Sequence, residues 1–230
     1  MSKRQPTKGA CGFCGREMTR SGLTRHIQTC SHRQETIAKA GQSSSEIIQP
    51  LYHLVVSDAY GGDYWLHLEI NGQATLHDLD RYLRAIWLEC CGHLSQFSVG
   101  GWRGKEIATS RKIAAVFDVG TELTHIYDFG TSSETLIKAV AVREGQPLTR
   151  HPIYLMARNH LPESQCTECG AVAGWYCPEC LHEKGDWVFL CENHYDQHQH
   201  FEDEDSVVTP LVNSPRLGMC GYSGPAQPPY

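Results

Sequence analysis

The 230-residue sequence has no apolar run of the roughly 20 residues a bilayer crossing needs. Its opening, MSKRQPTKGACG, is basic but leads into no apolar stretch, which argues against a secretory signal. Short enzyme signatures are missing too. HYDQH is not the HExxH of metalloproteases, and GGWRG is too short for a phosphate loop and lacks its lysine–hydroxyl ending. Ser132 and Ser133 follow a glycine but sit in no nucleophile elbow. These absences point away from membranes, secretion and the common hydrolases. The expected compartment is the cytoplasm, or the nucleus in a eukaryote, where thiols stay reduced and paired cysteines read as metal ligands rather than disulfides.

Cysteine and histidine are abundant, with 11 and 13 copies, and eight of the cysteines with four of the histidines fall in two clusters, one toward each end. The first cluster is Cys11, Cys14, His26 and Cys30; the second is Cys166, Cys169, Cys177, Cys180, Cys191, His194, His198 and His200. Pairs two residues apart aim two ligands at one point, as tetrahedral zinc requires. Four and eight ligands suffice for about three Zn2+ ions. In the N-terminal cluster a short hairpin supplies two thiolates and a helix, capped by Thr19 or Ser21, supplies His26 and Cys30 one turn apart. Phe13, Met18, Leu23 and Ile27 are the apolar groups available to pack around it. This segment resembles the Cys-Cys-His-Cys variant of ββα zinc fingers.

The C-terminal ligands read as four interleaved pairs, with Cys166/Cys169 and Cys191/His194 on one ion and Cys177/Cys180 and His198/His200 on the other. The segment resembles B-box and MYND-type fingers, although its spacing fits neither closely. A single ion with spare histidines is the rival, with His182 as a substitute ligand or His194 and His198 serving one ion from successive helical turns. A catalytic ion would need an open position and a carboxylate such as Glu192 or those at 202–205. YCPEC is similar to the PCxxC element of zinc deaminases, but its proline precedes the wrong position and no His-x-Glu partner lies upstream.

Between the clusters, about residues 50–162, the pattern predicts an α+β domain: a small antiparallel sheet with one main helix, flanked by two small zinc-binding modules. YHLVVS, YWLHLEI, LSQFSV, THIYDF and LIKAVAV read as strands. Thr75 caps a helix over LHDLDRYLRAIWLECC, whose Leu76, Leu79, Leu83, Ile86, Trp87 and Cys90 recur at three- and four-residue steps; Gly92 ends it. Residues 114–119 are apolar but too short to assign. The finger occupies residues 1–32, a polar linker 33–49, the double zinc module 163–205, and an irregular Pro/Gly-rich tail 206–230, either disordered or laid along another surface; HRQETIAKA could extend a helix beyond the finger into the linker. His93 and His125 stand as candidates to line a cleft with Asp128 and Trp87, while Cys90 and Cys91 read as a buried thiol and its neighbour.

The strand YHLVV, the helix TLHDLDRYLRAIWLECCGHLSQF and the segment TELTHIYDFGTSSETLIKAVAV resemble the plasmid pRiA4b ORF-3-like family over about residues 51–142. Where that family usually carries a charged or aromatic run, this chain has TSSET. The resemblance implies a compact α+β domain of bacterial and mobile-element contexts with no established reaction.

Charge is segregated along the chain. Residues 1–40 hold eight Lys/Arg against two Glu, residues 41–165 ten against fourteen Asp/Glu, and residues 166–230 two against ten. Only the first segment attracts a polyanion, through Lys8, Arg16, Arg20 and Arg25, with Lys3 and Arg4 nearby. In the finger register Thr19, Gly22 and Arg25 face bases, and only Arg25 could read a guanine. The sequence therefore predicts a non-enzymatic, zinc-stabilised adaptor or accessory subunit of a nucleoprotein assembly, mobile-element or defence related. It would bind a protein partner, with nucleic acid as a second ligand through the N-terminal finger, and no membrane and no small-molecule substrate. A DNA-binding regulator and a metal-dependent nuclease or hydrolase are the alternatives.

Overall fold

The structure, a computed structural model, describes residues 6–42, 48–201 and 208–230. Lys3, Arg4, the serine-rich part of the linker and the acidic residues 202–205 lie outside the described residues. The chain begins with a hairpin, β1 (Lys8–Cys11) and β2 (Glu17–Thr19), followed by two helices, α1 (Arg20–Thr29) and α2 (Ser31–Ala40). Next come β3 (Gln49–Asp58), β4 (Trp65–Asn71), α3 (Leu76–Leu83), β5 (Ser95–Val99), β6 (Lys105–Ile107), β7 (Glu122–Tyr127), β8 (Ser133–Gly145) and β9 (Ile153–Asn159). These strands form one nine-stranded sheet in the order β2-β1-β9-β4-β3-β8-β7-β5-β6, antiparallel throughout.

The fold is α+β, as the pattern predicts, but the sheet is not small. The finger enlarges it. Strand β1 pairs with β9, so the hairpin that carries Cys11 and Cys14 extends the central sheet rather than standing beside it. Gly9 allows this approach, because a Cβ there would collide with the Arg158 carbonyl and the Trp65 ring. At the start of the linker 33–49 the helical alternative for HRQETIAKA is the one taken: α2 runs to Ala40, and Arg33 is buried against Glu69 at 2.9 Å.

Strand β4 explains the docking. Its even residues, Leu66, Leu68 and Ile70, enter the core under α3 with Tyr52, Leu54 and Val56 of β3. Its odd residues point to the opposite face, as strand geometry requires. There Trp65 packs with Leu23, Ile27, Cys11, Cys30 and Met156, while Glu69 receives Arg33 and, at 2.6 Å, Arg143. Both faces of the sheet are thus covered, one by α3 and the other by the finger.

On the finger side Gln28 reaches His53 Nδ1 at 2.7 Å, and His53 Nε2 lies 2.9 Å from His67 Nδ1. Burial depresses both imidazoles, His53 to about 2 and His67 to about 4 from an ordinary 6.5. The folded state thus holds them neutral while the unfolded chain protonates them. Their contribution is complete above pH 6.5 and is lost as pH falls toward 4, about 3 kcal/mol for His67 alone. Urea unfolding between pH 7 and 4.5 is expected to show this acid loss, and His53→Gln with His67→Gln to flatten it. An unchanged slope in the double variant would remove the pair as the cause; the difference between variant and parent cancels acid release of any bound metal.

Helix α3 starts as read from sequence. Thr75 accepts from Asp78 N at 3.2 Å, and the Asp78 carboxylate accepts from Thr75 N at 2.8 Å, a reciprocal capping box. Thr75→Ala should cost about 1 kcal/mol in chemical denaturation. The far end departs from expectation. The α-helix stops at Leu83 and a π-turn, Arg84–Leu88, completes it, so Cys90 and Cys91 lie beyond the helix. The wider turn puts Ile86, Trp87 and Leu88 all into the core. Residues 113–115 form a short 3-10 turn whose Ile113 joins that core.

Two groups expected to share a cleft are separated. His125 is fully buried and bonded to Asp80 at 2.8 Å, whereas His93 is half-buried near Asp128. Residues 208–230 take the second course foreseen for them and lie along the domain. Ser214 donates to the Trp87 carbonyl at 2.6 Å, and Arg158 donates to the carbonyls of Asn213 and Ala226. Among the described residues no helix is long and apolar enough to cross a membrane.

Candidate metal centres

Each cysteine pair is set by local backbone. Cys11-Gly-Phe-Cys14-Gly15 and Cys166-Thr-Glu-Cys169-Gly170 are the same turn: the glycine after the second cysteine has a positive φ (73° and 75°) and donates its N–H to the first cysteine's carbonyl at 2.8 Å. A side chain there would strain this left-handed conformation. Cys177-Pro-Glu-Cys180 lacks the glycine and uses a helix instead. Cys177 is the N-cap of α4 (Pro178–Lys184), Pro178 takes the first helical position, and Cys180 N–H points to Cys177 Sγ at 3.4 Å. Strand β10 (Trp175–Cys177) lies between β11 (Val188–Leu190) and β12 (Thr209–Pro210) in a small second sheet.

The ligand atoms converge in three groups: Cys11, Cys14, His26 and Cys30; Cys166, Cys169, Cys191 and His194; Cys177, Cys180, His198 and His200. Within each, all four atoms lie within 4.8 Å of one another. Bond lengths of about 2.3 Å to sulfur and 2.0–2.1 Å to nitrogen imply tetrahedral edges of about 3.8 Å for S···S and about 3.6 Å for S···N. The separations match these edges to within about 0.4 Å. Cys169 and Cys191 sulfurs are 3.8 Å apart, and His194 Nδ1 is 3.5 and 3.4 Å from Cys166 and Cys191 Sγ. His200 Nδ1 lies 3.2 Å from Cys177 Sγ, His198 Nε2 3.3 Å from Cys180 Sγ, and His26 Nε2 3.2 Å from Cys14 Sγ. Among the described residues these are tetrads that fit a four-coordinate ion.

The C-terminal ligands interleave, first pair with third and second with fourth. His194 and His198 therefore belong to different tetrads. His182 belongs to neither; it lies on α4 and lines a neighbouring cleft of about 700 Å³. Glu192, the carboxylate between Cys191 and His194, is bonded to the Trp175 indole at 3.0 Å.

The four cationic residues singled out for nucleic acid all belong to the finger, yet they do not share one environment. Lys8, Arg16 and Arg25 are exposed, while Arg20 is half-buried against Gly62. Thr19, at the first base-facing position, is occupied as the N-cap of α1 through Gly22 N. Leu23 and Ile27 are buried against the sheet, while Ser21, Arg25, Gln28 and Thr29 stay exposed on the helix.

Comparison with known proteins adds little to this geometry. No protein-family profile and no curated protein matches the chain. Among solved structures it is similar to a protein of unknown function, MM3350 from Methanosarcina mazei Go1, at 18% identity and a TM-score of 0.39, over 47% of this chain and 67% of that one. The geometry alone carries the reading.

One important residue escaped the sequence reading. Arg216 is fully buried and ion-paired with Asp128 at 2.7 Å, and it donates to the Thr131 carbonyl and to Ser133 Oγ. It holds the Asp128 carboxyl well below the usual carboxylate range. The available signal was compositional: only Lys184 and Arg216 are basic among residues 166–230. An isolated cation in an acidic, aperiodic tail reads as solvated, which concealed its role.

Proposed function

We propose that this protein is a zinc-stabilised adaptor or accessory subunit that acts by binding rather than turnover. The observation carrying the reading is the three closed Cys/His tetrads, two of three sulfurs and one nitrogen and one of two and two, all at tetrahedral spacing. Thiolate with imidazole selects zinc among the common intracellular ions, and four protein ligands leave no position for a substrate. The ions would hold structure at both ends of the chain. The central α+β domain, which resembles the plasmid pRiA4b ORF-3-like family, would hold the two ends in fixed relation.

Segregated charge supports two kinds of contact. The acidic C-terminal module suits a basic protein surface, and the finger's exposed Lys8, Arg16 and Arg25 suit a phosphate backbone. Because α1 is docked, the finger would contribute non-specific contact, as expected of a nucleoprotein subunit rather than a sequence-specific regulator. A mobile-element or defence setting follows from the family resemblance alone.

Reduced protein should carry three zinc equivalents that resist a weak competing chelator, read by elemental analysis. Affinity capture of this protein from its native host, with and without nuclease, tests the adaptor role. A protein partner retained after nuclease is the expected result. Recovery of nucleic acid alone, lost with Arg16→Ala, Arg20→Ala and Arg25→Ala, would replace the adaptor with a nucleic-acid binder.

A further inference from the structure

The bend after the π-turn and the distant tail meet at a fourth group of metal-binding side chains. Cys90, His93 and Cys220 each place one ligand atom within 4.8 Å of the others. Cys90-x2-His93 repeats the two-residue interval of Cys191-x2-His194 in the C-terminal module. Cys220 arrives from about 130 positions further along the chain, carried by a tail pinned through Arg216.

Three features separate this group from a chance contact of thiols. His93 Nε2 is buried and has no hydrogen-bond partner, and its nearest acidic neighbour, Asp128 Oδ2, is 3.6 Å away. A buried ring nitrogen without a partner is costly unless something else engages it. Two non-glycine residues with left-handed backbone meet here, Asp128 at φ 65° and Cys220 at φ 49°. Such strain persists where the surroundings impose it, and it collects at functional sites. The sulfur environment is also polar and directional: Arg216 Nε and Nη2 point at Cys90 Sγ from 3.4 and 3.3 Å, and Cys220 Sγ lies 3.6 Å from Asp128 Oδ2.

We propose that Cys90, His93 and Cys220 form a fourth metal site, one that binds a zinc-class divalent ion through three protein ligands and leaves the fourth position to water. Two thiolates, the Asp128 carboxylate and the Arg216 guanidinium sum to minus two, which a divalent ion neutralises. Arg216 and Asp128 act as the outer partners that orient ligands in metal sites generally. The open position follows from exposure. Cys220 is exposed and lines the 700 Å³ cleft between the tail and α4, so solvent reaches the ion from that side. The three tetrads are closed; this site is exchangeable and binds more weakly. It stands apart from the adaptor reading, since none of its ligands belongs to a tetrad.

Zinc titration of the reduced, zinc-loaded full chain against a chromophoric chelator is the test, run on parent, Cys220→Ser, His93→Gln and Cys91→Ser. The parent is expected to take up one equivalent beyond its tightly held complement. Cys220→Ser and His93→Gln should bind that equivalent at least about a hundredfold more weakly, while Cys91→Ser, next in sequence but outside the group, binds it normally. Added Co2+ should give a thiolate charge-transfer band that the first two variants lose. Both replaced side chains are partly or fully exposed, so these variants should keep the parent's circular dichroism. No extra equivalent in the parent, or an undiminished one in both variants, would overturn the site. Because the readout is the difference between parent and variant, it stands even if the total from the three tetrads departs from three.

Discussion

Chelating the metal from reduced protein is expected to unfold residues 166–200 completely while much of the central sheet remains folded. The cause is the lack of an independent core. Neither hydrophobic cluster of the protein includes any residue of that stretch, whose buried side chains are mainly the ligands themselves with Ala173, Tyr176 and Leu190. Structural zinc in such small modules contributes roughly 10–16 kcal/mol of apparent binding energy at neutral pH, as much as the roughly 5–15 kcal/mol that holds a whole domain folded. Hydrogen exchange should lose protection at β10 and β11 first and regain it when zinc is returned. The finger should respond less, because Leu23 and Ile27 stay packed on Trp65 and Met156, and Arg33 stays paired with Glu69. Full retention of protection at 166–200 in excess chelator would end the metal-stabilised reading.

Arg216→Ala is expected to destabilise the central domain by about 3–5 kcal/mol, lowering the melting temperature by roughly 10 °C. The substitution strips the Thr131 carbonyl and Ser133 of donors and leaves Asp128 without its cation. It also removes a guanidinium stacked over Tyr127 at 4.8 Å. Arg216→Lys keeps the charge but loses the fork that serves these partners together, and should recover only part of the loss. Truncation after residue 210 should match Arg216→Ala or exceed it, since Ser214 and the Asn213–Asn159 amide pair go as well. A tail that leaves thermal unfolding unchanged when deleted would show that these contacts contribute nothing.

Much of the site was legible because ligand chemistry is local. Two-residue cysteine spacing, a glycine after two of the pairs and the Cys–Pro start of α4 define turns that aim sulfur atoms, whatever the rest of the chain does. The pairing of first with third and second with fourth was also readable as a counting argument on four pairs. The strand pattern of β3, β4, β5, β7 and β8 and the capped start of α3 were likewise visible. Strand β9 was missed: IYLMARN alternates poorly, and its role is to join the finger to the sheet. The helix end was misplaced because a π-turn changes the phase that a regular period assumes.

What the sequence determined by itself is which short stretches become turns, strands and ligand pairs, since these depend on spacing and backbone preference over a few residues. Tertiary structure alone decided where the polar faces go. His53, His67 and Glu69 alternate with apolar neighbours as they would on a solvent-facing sheet, and Arg216 reads as a surface cation. All four are buried, because a finger covers one face and the tail threads across the other end. A period of two marks which residues share a face but carries no information about what will cover it. Only long-range packing supplies that, and it also brings Cys220 to Cys90 and His93.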